Sequence, residues 1–72
     1  MTLKLLFDAG ILNEDDDFVI AMFNSETVGW ETVADNTNDV VDLTPYMNRI
    51  VQRITPRHRS KDDVAYIRIK LL

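Results

Sequence analysis

An α+β fold is what this sequence predicts: a small, mainly antiparallel sheet with one amphipathic helix packed on it, in the chain order β-β-β-α-β. Two observations lead there. Short apolar stretches with a period of two are separated by polar breaks, as in strands. One stretch, following Thr44-Pro45, instead spaces its apolar residues as a helix does. With 72 residues, 46% hydrophobic and 28% charged, the chain is too apolar for disorder and long enough for one domain, residues 1–72.

Residues 2–8, "TLKLLFD", alternate, with Leu3, Leu5 and Phe7 on one strand face and Lys4, Leu6 and Asp8 on the other. "NEDDD" (13–17) is too charged to bury and reads as a solvated hairpin loop. "FVIAMFN" (18–24) is apolar on both faces, which suits a central strand. "VGWETVA" (28–34) reads as a third strand with Val28, Trp30 and Thr32 on one face, and "DNTND" (35–39) as a loop. Thr44 is then a candidate N-cap and Pro45 suits the first helical position. Tyr46, Met47, Ile50, Val51 and Ile54 would line the buried helical face until Pro56 ends the element. "RHRSKDD" (57–63) reads as a charged loop. "VAYIRIKLL" (64–72) closes the sheet, with Ala65, Ile67, Ile69 and Leu71 inward and Tyr66, Arg68 and Lys70 outward.

Charge is unevenly placed along the chain. Residues 1–44 hold ten acids against the single base Lys4, a net −9, whereas residues 45–72 hold seven bases against Asp62 and Asp63, a net +5. The whole chain carries −4. Such asymmetry points to charged partners.

The chemistry of sites narrows the function further. Nucleophilic catalysis requires a nucleophile, a base and an orienting group. Ser60 and His58 are merely neighbours in a charged stretch, and an exposed histidine is the simpler reading. The carboxylates of "NEDDD" lack the alternate spacing and the glycine of a calcium loop. Gly10 and Gly29, the only glycines, make no phosphate cradle. The expectation is a non-enzyme with no cofactor and no metal.

What remains is recognition. Arg49, Arg53, Arg57 and Arg59, with Lys61, form a basic segment, and Tyr66 would add a stacking surface if it lay nearby. Nucleic-acid binding through residues 49–61 is the second reading, because an isoelectric point near 4.6 lies far from the basic signature of that class. The first is a protein–protein contact protein: an adaptor, or an inhibitor of the phage or mobile-element type whose acids occupy a target's basic nucleic-acid groove. A structural subunit of a larger assembly, for example a viral one, is the third. Glu14, Asp15, Asp16, Asp17, Trp30 and Glu31 join the four arginines as partner-contact candidates, although for Trp30 a core position is the simpler reading.

No cysteine is present, so disulfides cannot staple so small a core. A homodimer, formed through the apolar last strand, is expected for that reason. The lack of cysteine and of any long apolar run also leads to the expectation of a cytoplasmic protein without membrane contact.

Overall fold

The computed structural model describes residues 1–37 and 40–72. Its elements run α1 (Leu3–Asp8), β1 (Phe18–Asn24), β2 (Gly29–Asp35), a 3-10 turn (Thr44–Tyr46), β3 (Val51–Arg59) and β4 (Val64–Leu71). The four strands form a mixed sheet in the order β2-β1-β4-β3. The β1–β2 and β3–β4 hairpins are antiparallel, and β1 and β4 join them in parallel. The α+β class holds, but the chain order β-β-β-α-β does not, because two segments exchange type.

Residues 2–8 make the helix. Leu3, Leu6 and Phe7 stand at i, i+3 and i+4, a helical pattern hidden inside the strand-like alternation. Thr2 Oγ1 accepts from the Leu5 backbone N–H at 3.4 Å at the start. At the end, Gly10 adopts φ +73° and its N–H donates to the Phe7 carbonyl at 3.1 Å. A glycine past the last turn in this left-handed conformation is a common helix stop. Leu3 and Leu6 are buried, while Leu5, grouped with Leu3 and Phe7 on the strand reading, is half exposed.

Residues 46–54 are not a helix. Thr44 to Tyr46 make a single 3-10 turn capped by Leu43 without a side-chain bond, so Thr44 is not an N-cap, although Pro45 does occupy its first positions. The chain then extends into β3. Ile50, Val51, Ile54 and Thr55 are β-branched and favour extended backbone, and pairing with β4 outweighs the local helical spacing. Tyr46, Met47 and Val51 still pack on the core, but Ile50 and Ile54 are 49% and 44% exposed. Pro56 lies within β3, tolerated because β3 is an edge strand. Arg57, His58 and Arg59, expected in a loop, end that strand, and the turn is confined to residues 60–63.

"NEDDD" is solvated as expected but connects α1 to β1 rather than two strands. In the loop expected over 35–39, Asn38 and Asp39 lie outside the described residues. Asn36 fastens the start of β1: its side chain accepts from Phe18 N–H and donates to the Asp16 carbonyl, each at 2.7 Å. The last strand forms as expected but sits inside the sheet, between β1 and β3. Its edge is therefore not open to a second copy, and that route to a dimer is closed.

The core lies on one side of the sheet. Phe18, Ile20 and Met22 of β1 stand level with Ile67, Ile69 and Leu71 of β4. Leu3 and Leu6 of α1, together with Leu12, close over them, and Val41, Leu43, Tyr46 and Met47 pack around the margin. Among the described residues, no helix is long and apolar enough to cross a membrane.

Burial sets the expected mutational pattern. Leu6→Ala should cost about 2–5 kcal/mol in urea denaturation, since Leu6 is 1% exposed within the core. Ile54→Ala should cost about half that or less, because much of its side chain already meets water. Equal losses would contradict the packing of α1 over β1 and β4.

Candidate functional site

The second face of the sheet has no layer over it among the described residues. Strand alternation, carried across the registers, identifies its residues. In one row Thr32, Ala21, Lys70 and Arg53 stand side by side, and in the next Asp35, Val19, Arg68 and Thr55. Beyond them Tyr66 pairs with Arg57, and Val64 with Arg59. At the other end Phe23 pairs with Trp30. Five cations thus occupy the β3–β4 half, and two aromatic rings lie on the β1–β2 half.

Ala21 and Val19 are buried although no element covers them. Longer side chains on the same face do this. The Lys70 ammonium sits 4.7 Å from the Trp30 ring centre, and the Phe23 and Trp30 rings meet edge to face at 5.7 Å. A cation over an indole face is attracted by the ring's quadrupole, and a lysine's aliphatic stem covers apolar surface while its charge stays wet. Phe23 itself remains 50% exposed.

Arg59 is the most engaged cation. Its Nε and Nη2 donate to the two carboxylate oxygens of Asp62, both at 2.8 Å. Nη2 also donates to Thr37 Oγ1 at 3.0 Å, and Nη1 lies 3.7 Å from Asp35 Oδ2. The guanidinium carbon is 5.8 Å from the Tyr66 ring centre. This fork ties the β3–β4 turn to the end of β2. The Asp62 hydrogen bond raises Arg59 above its ordinary range, and the same bond holds Asp62 below the usual carboxylate range. Nearby, His58 Nε2 and Asp63 Oδ1 are 2.7 Å apart on the exposed turn.

The residues singled out from sequence divide into three groups. Trp30, Arg53, Arg57 and Arg59 come together on the open face. Arg49 does not join them: it precedes β3, and its Nη1 donates to the Leu72 carbonyl at 3.5 Å. Glu31 points to the opposite side of β2, level with Met22, and its carboxylate accepts from Thr27 Oγ1 at 3.3 Å. Glu14, Asp15 and Asp17 are exposed in the loop before β1, and Asp16 accepts from Asn13 N–H at 2.9 Å. Asp15, Asp16 and Asp17 share a shallow groove of about 430 Å³ with Pro56, Arg57 and Tyr66. Sequence reasoning omitted Arg68, Lys70 and Phe23 from the site. The outward phase of Arg68 and Lys70 on the last strand was legible, but not the face they would share with β3, and Phe23 belongs to a stretch apolar on both faces.

Among the described residues no cluster of histidine and carboxylate side chains has the geometry to hold a metal ion. Compared with known proteins, the chain matches no family model, no curated protein and no solved structure.

The Arg59 fork carries a pH dependence whose sign is determined. A carboxyl held below its unfolded value of about 3.9 contributes stability above that pH, and loses it as the pH falls through the folded value. Asp62→Asn should therefore flatten the drop in thermal midpoint that the wild type shows below about pH 4. Identical acid profiles for the two proteins would show that the fork adds no linkage.

Proposed function

We propose that this protein is a non-enzymatic interaction protein that docks a protein partner on its open sheet face. The single observation that carries the reading is the composition of that face. Interface cores are enriched in aromatic residues and arginine, and hot spots in Trp, Tyr and Arg. Phe23, Trp30, Tyr66, Arg53, Arg57 and Arg68 share the face by register, with Asp35 its only carboxylate among the described residues.

Size also supports the reading. Strands about eight residues long and about 4.8 Å apart make a four-stranded face of roughly 500 Å² in plan. Side chains raise the accessible area toward the roughly 800 Å² that each partner contributes to a standard interface. Edge pairing is less favoured. β2 carries a bulge at Val33, whose carbonyl accepts from Tyr46 Oη at 3.5 Å, and β3 carries Pro56. Bulges and prolines are devices that blunt sheet edges.

Photo-cross-linking in the producing cell tests this. A benzophenone side chain at Thr55 or Phe23, on the open face, should yield a discrete protein adduct that Arg68→Glu abolishes. The same probe at Lys4, on the helix side, should yield none. Adducts confined to the helix side, or adducts sensitive to nuclease, would overturn the proposal.

A further inference from the structure

We infer that the partner is acidic where it meets the sheet, and that Arg53, Arg57, Arg68 and Lys70 are the set that receives its carboxylates. The inference rests on the open face being the contact surface and adds the chemistry of what that surface takes. Lys70 stands directly opposite Arg53, and Arg68 lies two residues along β4 from Lys70. Neighbours on one strand face are about 6.6 Å apart and strands about 4.8 Å apart, so these charges sit within one screening length of each other. Like charges placed opposite one another in a sheet are destabilising.

Among the described residues, the chain's own acids form no ion pair with these four cations. The chain contains twelve acids for eight bases. On this face, however, Asp35 is engaged by Arg59. Among the described residues, no carboxylate lies within ion-pair distance of Arg53, Arg57, Arg68 or Lys70. Asp15, Asp16 and Asp17 share a groove with Arg57 without closing a pair. A cationic quartet without an ion pair among the described residues, beside exposed apolar surface, is stabilised when an outside anion completes it.

Two features favour carboxylates of a protein over the phosphates of a nucleic acid. Stacking a base needs an open ring face, whereas a protein side chain can also pack on a ring edge. Lys70 lies over Trp30, Arg59 lies near Tyr66, and Phe23 meets Trp30 edge to face. A net charge of −4 further opposes a long polyanion.

Trp30 is the only tryptophan, so its fluorescence reports directly on this face. The probes are a peptide of alternating glutamate and leucine, its glutamine counterpart, and an oligodeoxythymidylate of equal charge. The glutamate peptide should perturb Trp30 emission, weaken as salt rises from about 0.01 to 0.15 M, and lose about tenfold in affinity in Arg53→Gln/Arg68→Gln. The glutamine peptide should be silent and the oligonucleotide weaker. Circular dichroism of the double variant checks that its fold is retained. Glutamate-peptide binding that ignores both salt and the double substitution would overturn the acidic partner, while the cross-linking result on the open face would stand. Tighter binding by the oligonucleotide, with a log–log salt slope near −3 for about four neutralised phosphates, would overturn both.

Discussion

The parallel pairing of β1 with β4 is the contact on which the rest of the structure depends. Each hairpin is local in sequence, and neither alone has two covered faces or a core. Pairing them places Phe18, Ile20 and Met22 level with Ile67, Ile69 and Leu71, and that row is what α1 and Leu12 close over. The register admits no slip. Moving β4 by one residue would turn Arg68 and Lys70 into the core and Ile69 and Leu71 into water. The same pairing joins the acidic half of the chain to its basic half, so charge segregation along the sequence becomes segregation across the sheet.

With so few residues, the apolar side chains suffice for one layer of helix over one face. The other face must be covered by its own long side chains, and Lys70 over Trp30 does this for Ala21. Arg59, gripping Asp62, Asp35 and Thr37, braces the end where β1 has not yet begun and β4 runs beside β3 alone. A fold of this kind has a finished side and an unfinished one. The unfinished side is where a partner can add buried area without displacing any element.

How much of this was legible follows from where each signal is stored. β1, β2 and β4 were readable because "FVIAMFN" and "GWETVAD" are short stretches bounded by polar breaks and "VAYIRIKL" keeps a period of two, whatever their partners are. Residues 2–8 and 46–54 carry both periods at once. Leu3, Leu6 and Phe7 suit a helix as well as Leu3, Leu5 and Phe7 suit a strand, and Gly10, a helix stop in the fold, was not read as one. Ile50 and Ile54 imitate a helical face, but Arg53, Thr55, Arg57 and Arg59 alternate with Ile54, Pro56 and His58 just as plainly. Only the long-range pairing with β4 selects the strand. The site followed the same division: Trp30 and three arginines were found from residue type, whereas Arg68 and Lys70 required knowledge of which strand lies beside them.

That division also accounts for a basic face on an acidic protein. Carboxylates such as Asp8 of α1 and Glu31 of β2 lie on the helix side, separated from the open face by the thickness of a sheet and its covering layer, roughly 10 Å. At about 0.15 M salt the screening length is roughly 8 Å, so those charges contribute little at the outer surface of β3 and β4. Any charged molecule approaching that face meets the local cations before it meets the net charge. The isoelectric point therefore describes how the molecule behaves at a distance, and the register of β3 against β4 describes what it presents on contact. At low ionic strength the two compete, because a longer screening length lets the far carboxylates oppose the near arginines.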